Sequence, residues 1–494
     1  MSSPQKQVAA LVTGKLTALA VTFLVPMFLA RFLSKEHYGV YAQIAMLIDF
    51  LPAFFSLGLE SNLYYFYPTA GRDDRKVYVI QTLVILLAAG TIAVVVLSIP
   101  TLRELLVGEG EVSTFAGNIT LLTLLLIPSN MLIALYVVKK DLRMSMAFPP
   151  LNVFSRALLV VMFVIVVPGV DSIVRAWTVY AVLLFSFIVF YTVREAGVRE
   201  IWGKLKLSAF KAQLKYSLPF GTAVSIRTFS QMFDKVVCIS YLTATGYATY
   251  SVAFYGIPGI MHVYDPLSQV AIIQMTEQFQ NGNKAAALDI YHKLVRQTYS
   301  FTVPAILIVS LYAKKIITFL FTEKFADSTP LFQVYLVTFL VLMLGAGLIL
   351  RASGETKYNL YAFLISAVFT IPLTLFLVRA YGMWGALCGA IISLSAPKLS
   401  MLFKEAEVLG TNLRGLLPWR DMGRIALIAL GAYIPFVLIE FNFTYGIVLS
   451  AIFGAVYVIL VSLLELRYGL FVLEAGQVRG IAGKLKKRLL PSAA

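Results

Sequence analysis

Cysteine and histidine are nearly missing from this chain. Cys238 and Cys388 both sit in apolar segments, and His37, His262 and His292 are far apart. Two such cysteines build no disulfide framework, and three scattered histidines supply no metal-ligand spacing. Neither a metal site nor a cofactor is expected. Acidic charge is also short, with 25 Asp and Glu against 41 Lys and Arg and a net charge of +16. Charge of either sign makes up only 13% of the residues, about half of what a soluble domain carries. Long polar stretches are absent. The longest connectors run about 20 residues, which leaves no room for a soluble domain between the apolar segments. No P-loop occurs, so nucleotide hydrolysis by this chain is not expected, and no enzyme activity is assigned.

What fills the space is apolar. Hydrophobic residues account for 59% of the chain and its mean hydropathy is +0.83, which describes a polytopic all-α membrane protein. A window of about 20 residues finds about 14 candidate spans. They lie near 8–31, 40–66, 77–99, 115–138, 147–167, 174–193, 214–242, 247–275, 295–321, 331–350, 358–379, 382–403, 423–441 and 445–466. The N-terminal run lacks a small-residue cleavage site and reads as a retained first span.

Placing the N-terminus in the cytoplasm puts about 29 Lys and Arg on the cytoplasmic side and about 8 on the other. That bias orients the protein in the cytoplasmic (inner) membrane with both termini inside. It also accounts for the net charge without nucleic acid. The tail 476–490 sets Val478, Ile481, Leu485 and Leu489 among Arg479, Lys484, Lys486, Lys487 and Arg488, the pattern of an amphipathic helix on anionic lipid.

The spans repeat. "YGVY" (38–41) and "YATY" (247–250) follow corresponding turns 209 residues apart, and the loops after spans two and four have counterparts after spans eight and ten. Two parallel six-helix halves follow, a kind of repeat that encloses a substrate site near the midplane. The expected organisation is an N-terminal lobe over 1–200, a second lobe over 201–410, two further helices over 411–470 and a basic tail over 471–494.

Several charges lie where the bilayer should exclude them. In "SIRTFSQMFDKVV" (225–237), Arg227, Ser230, Gln231, Asp234 and Cys238 share one helical stripe, with Lys235 beside it. Arg227, Lys15, Asp49 and Arg156 fall near mid-bilayer depth. Each central charge costs roughly 2.5–3.5 kcal/mol to insert, so such groups are paired, hydrated or used. Asp49 and Asp234 can neutralise about half of the buried cations. The remainder predicts a wet, cationic cavity for an anionic head group, with Lys15, Arg156 and Arg227 as its binding residues. Asp49, Asp234 and Lys235 are expected as a coupling site or as structural ion pairs; Asp234 is placed either to hold Arg227 or to bind a proton or ion. Prolines inside the spans, such as Pro52, Pro266 and Pro304, mark bends. The many Tyr and Phe read chiefly as packing and interface belt.

"ARFLSKEHYGVYAQ" (30–43), "SLGLESNLYYFYP" (56–68), "YSLPFGTAVSIRTFSQMFDKVVCISYLTATGYATYSVAF" (216–254) and "RASGETKYNL" (351–360) resemble the polysaccharide transport family. That family holds the Wzx-type flippases of lipid-linked oligosaccharides. Its superfamily includes the multidrug and toxin extruders (MATE) and the lipid II flippases. The resemblance covers nearly the whole chain. It implies a MATE-like, two-lobed bundle that works by alternating access around a cavity lined by spans one, two, seven and eight. It implies transport of an undecaprenyl-diphosphate-linked oligosaccharide (an O-antigen, capsule or exopolysaccharide unit), with the pyrophosphate or acidic sugars meeting Lys15, Arg156 and Arg227. Glycan polymerase or synthase components are the implied protein partners. A cation antiporter of the same superfamily would need an acid-dominated cavity, and a scaffold for a synthase complex would tolerate loss of the central charges.

Overall fold

The computed structural model describes residues 21–108, 110–196, 207–256 and 260–470. Among them there is no strand. The helices, in order, are α1 (Val21–Phe32), α2 (Lys35–Phe55), α3 (Asn62–Thr69), α4 (Arg72–Ser98), α5 (Pro100–Val107), α6 (Ala116–Leu126), α7 (Ser129–Val138), α8 (Leu142–Val166), α9 (Val170–Ala196), α10 (Leu207–Tyr241) and α11 (Ala244–Ala253). Then come α12 (Ile260–Gln280), α13 (Lys284–Leu311), α14 (Ala313–Phe321), α15 (Thr329–Leu336), α16 (Thr338–Leu342), α17 (Leu348–Ala352), α18 (Lys357–Leu409), α19 (Leu413–Leu416), α20 (Trp419–Asn442) and α21 (Ile447–Arg467).

Ten helical segments among the described residues are long and apolar enough to cross a membrane. One of them, α18, is two spans that meet at Gly382, where φ is 55° and ψ −131°. Its two limbs then pack closely: a methyl on Gly385 would stand 1.8 Å from the Leu377 carbonyl oxygen. The seventh expected span is α10, a 35-residue helix that carries Arg227, Asp234 and Lys235 along its length. The first and eighth expected spans run partly through residues outside the described set. The expected amphipathic tail lies wholly outside it.

The chain forms two compact units. One holds residues 1–254, 317–331 and 363–393; the other holds 255–316, 332–362 and 394–494.

In the first unit, α2 and α11 are built alike. Ser34 caps α2 by accepting from the His37 N–H, and Thr243 caps α11 by accepting from the Gly246 N–H, both at 3.1 Å. Each hydroxyl satisfies an amide of the first turn that has no partner within the helix. The caps are 209 residues apart, the offset of the tyrosine motifs that follow them. The two helices cross in near-contact, because a methyl on Gly39 would lie 1.8 Å from the Ala244 carbonyl oxygen. In lipid, where helices gain little from hydrophobicity, small residues give backbones this approach.

Polar contacts fasten the same end of the unit. The Lys35 ammonium meets Asp327 at 2.5 Å, and Thr249 donates to that carboxylate at 3.0 Å. Lys324 donates to the carbonyls of Ala30 and Leu33, and Arg31 to those of Phe319 and Leu320. Leu29 on α1 and Ile44, Leu47 and Leu51 on α2 are fully buried.

In the second unit the chain breaks between α16 and α17, where Gly345 and Gly347 take positive φ of 73° and 92°. A break inside a membrane frees backbone groups that lipid cannot satisfy. Side chains satisfy them here. Tyr299 donates to the Leu340 carbonyl, Thr298 to Met343 and Tyr291 to Leu344. The buried Glu405 carboxylate accepts from the N–H groups of Gly347 and Ile349 at 2.9 Å each. The last two helices, α20 and α21, pack on α13 through Ile308, Tyr312, Ala429, Phe436 and Tyr457. Lys315 joins Glu440 at 2.7 Å and Arg296 joins Asp421 at 3.3 Å.

Candidate functional site

The helix α10 fixes the direction of Arg227 through contacts on its opposite side. A methyl on Gly221 would stand 1.9 Å from the Leu57 carbonyl oxygen. Ser225 donates to the Phe54 carbonyl at 2.8 Å, and the Phe229 ring lies 5.8 Å from Phe54 and 6.2 Å from Phe50. At about 100° per residue, Gly221, Ser225 and Phe229 lie roughly 120–200° around the helix from Arg227. With that face held against α2 and the turn after it, Arg227 points away from them. It is exposed and makes no ion pair with any described residue.

Its depth follows from helix length. Arg227 lies fourteen residues before Tyr241, and Asp49 fourteen residues after Lys35, about 21 Å in each case. The Gly39–Ala244 crossing puts both helix ends on one side of the unit. Both charges therefore sit at the level of the hydrocarbon core. A guanidinium exposed there to acyl chains would be costly.

Arg156 is placed differently. Its guanidinium meets the Asp49 carboxylate at 2.9 Å, and the side chains remain 28% and 69% exposed respectively. The Trp177 ring centroid lies 5.2 Å from the guanidinium carbon, a cation–π contact. Tyr180 donates to Asn152, one turn before Arg156 on α8. Sequence reasoning missed Trp177, Tyr180 and Asn152. The i,i+3 spacing of Trp177 and Tyr180 on α9, and the i,i+4 spacing of Asn152 and Arg156 on α8, were the available signals. The pair carries no net charge, and its carboxylate is largely exposed.

Asp234 lies on the expected stripe but is covered there. It shares an azimuth with Arg227 but lies two turns nearer the Tyr241 end, where α11 covers it. The carboxylate is 4% exposed, accepts from the Tyr250 hydroxyl at 2.6 Å and meets the Lys235 ammonium at 3.5 Å. Lys235 also lies over the Phe254 ring, and Cys238 is buried. Asp234 thus pairs with its neighbour, and Arg227 is left without it. The polar stripe is open only over its Arg227–Gln231 part. Lys15 lies outside the described residues. The structure therefore joins Arg156 to Asp49 and Asp234 to Lys235, and brings Arg227 to neither.

A double-mutant cycle checks the Asp49–Arg156 pair. Arg156→Ala and Asp49→Ala should each lower the melting temperature of the purified protein, and the double variant should recover part of the loss. The expected coupling is about 1 kcal/mol, modest because both groups are partly exposed. Additive losses would mean that the two side chains do not support each other.

A family model described as "Polysaccharide biosynthesis protein" matches residues 28–330. No curated protein is close enough in sequence to match. Among solved structures, the lipid II flippase MurJ in an inward closed conformation superposes with a TM-score of 0.71 at 16% identity, over 93% of this chain and 99% of that one. An inward-facing multidrug-resistance MATE transporter of the MOP superfamily gives 0.62 at 15% identity, over 79% and 94%. An outward-facing MATE transporter gives 0.52 at 14% identity, over 82% and 95%. At these identities the likeness is one of fold.

Proposed function

Because this chain belongs to the polysaccharide biosynthesis protein family, we propose that it is a flippase that carries a polyprenyl-diphosphate-linked oligosaccharide across the cytoplasmic membrane. The observation that carries this reading is Arg227: a cation at mid-bilayer depth, exposed, with no described carboxylate beside it. A diphosphate supplies the missing charge. Its oxygens accept a guanidinium's paired N–H groups, a geometry that suits Arg better than Lys.

The Asp49–Arg156 pair supports the same reading as a second, adjustable contact. Its carboxylate is 69% exposed, so an arriving phosphate can compete with Asp49 for the Arg156 guanidinium. Lys15 is proposed as a third cation on the strength of the sequence alone. Asp234 and Lys235, held by Tyr250, are proposed as a structural pair that anchors α11 on α10.

The two six-helix lobes (1–200 and 201–410), the cytoplasmic termini, the extra helices and the lipid-bound tail complete the proposal. Movement of the lobes about a midplane site would expose it to each leaflet in turn. The basic loops support the orientation. A cation antiporter would want an acid-rich interior, whereas the exposed, unpaired charge at mid-bilayer depth on α10 is the Arg227 cation.

Deleting the gene tests the proposal in its own cell. Lipid-linked repeat units should accumulate on the cytoplasmic leaflet, and the surface glycan should disappear. Undiminished glycan at the surface, without accumulation, would refute the export role.

A further inference from the structure

Two exposed tyrosines from different helices stack on each other at the basic end of the first unit. Tyr65 on α3 and Tyr216 on α10 have ring centroids 4.6 Å apart and planes 20° from parallel. They are 51% and 46% exposed. Each ring covers one face of the other, and both residues stay about half exposed. The pair is also braced. The Phe66 ring meets Tyr65 edge-on at 5.1 Å and Tyr216 edge-on at 5.7 Å, and stacks on Tyr78 at 5.1 Å. Such a post loses little conformational entropy when a ligand lies against it.

Position on the helix says what the ligand is. Tyr216 and Arg227 are eleven residues apart on α10, with Pro219 between them; along a regular helix that spacing is about 16 Å along the axis and about 20° around it. The two exposed groups therefore lie on one face of one helix, the cation at mid-bilayer depth and the aromatic pair toward the end that carries the basic loops. A lipid-linked glycan presents its own groups in the same series, diphosphate first and sugar rings beyond it. A pyranose has an apolar C–H face and a rim of hydroxyls. A tyrosine offers the matching parts, an apolar ring face and a hydroxyl tip. Acyl chains would need neither the stacked pair nor the Phe66 ring that braces it.

We infer that Tyr65 and Tyr216 form a stacking subsite for the sugar rings of the lipid-linked glycan, in line with Arg227, which takes its diphosphate. The inference rests on the export reading and adds to it a place where the sugar is read. It makes these tyrosines specificity residues, distinct from interface-belt residues that only anchor the helix in the bilayer.

The test uses purified full-length protein and two probes. One is the glycan-bearing lipid extracted from the gene-deleted strain; the other is sugar-free undecaprenyl diphosphate. Tyr216→Leu and, on the partner helix, Tyr65→Leu should each bind the glycan-bearing lipid about tenfold more weakly, the scale of one lost ring contact. Their affinity for the sugar-free lipid should be unchanged, and Tyr216→Phe, which keeps the ring face and loses only the hydroxyl, should lose less affinity for the glycan-bearing lipid than Tyr216→Leu. Equal weakening toward both probes, or no weakening in either Leu variant, overturns the sugar subsite and leaves the export reading standing. A wild-type protein that binds neither probe overturns the export reading and the subsite with it.

Discussion

Arg227→Ala should reduce glycan export by one to two orders of magnitude while the protein stays in the membrane at its normal level. The size follows from the contact being removed: hydrogen bonds to a charged group are worth about 1.5–3 kcal/mol, which is roughly 10- to 100-fold. Retention of the protein follows from the surroundings of Arg227. It has no described ion-pair partner, so its loss strands no buried carboxylate, and it removes a charge that is costly to hold at that depth. Arg227→Lys should recover part of the export, since an ammonium attracts phosphate as a point charge but cannot clasp two oxygens. The measurement is surface glycan against membrane-protein level for the three alleles. Normal export by a well-expressed Arg227→Ala protein would remove this residue from the site and leave the cationic-cavity account without its main support.

Gly39→Val should have the largest effect on folding. The glycine sits where α2 crosses α11, and even a methyl there would come within 1.8 Å of the Ala244 carbonyl oxygen. That neighbour is backbone, so no rotamer change relieves the clash. The helices must separate, and the contacts around them loosen together: Lys35 with Asp327, Thr249 with Asp327, and Tyr38 with the Phe325 ring at 4.9 Å. Overpacking of a well-filled site costs about 1–3 kcal/mol, and backbone separation adds the loss of those contacts. The expected outcome is little or no folded protein in the membrane fraction. Gly117→Ala is a fitting control, because its added methyl meets nothing within 4 Å. Equal yields of Gly39→Val and Gly117→Ala protein would mean that the crossing is not as close as described.

The fold was largely legible in the sequence because a bilayer enforces simple rules. Apolar length marks spans, and the caps Ser34 and Thr243 stand at the same 209-residue offset as the tyrosine motifs that follow them. The charges were legible as anomalies. Their partners were not, because partnership is decided by residues far off in the chain. Arg156 and Asp49 are 107 residues apart. The helical wheel put Asp234 on the face of Arg227, and in azimuth it is there. The wheel carries no information about which stretch of that face another helix covers, and α11 covers Asp234 through Tyr250. Trp177 and Tyr180 beside Arg156, and Tyr65 against Tyr216, were invisible for a related reason. Aromatic residues are abundant in the chain, and only packing separates a ring that fills space from one that presents a face.

The central claim is that the face of α10 around Arg227 opens onto water at mid-membrane depth and receives a phosphate-bearing lipid. Gln231, one turn further along that face and also exposed, allows a direct check that leaves Arg227 in place. In a protein whose exposed Cys388 is replaced by Ser, Gln231→Cys would be treated with a charged, membrane-impermeant maleimide, with and without the glycan-bearing lipid. The account predicts rapid labelling that the lipid slows. A cysteine there that reacts only with a lipid-soluble maleimide, and is indifferent to the glycan-bearing lipid, would contradict it.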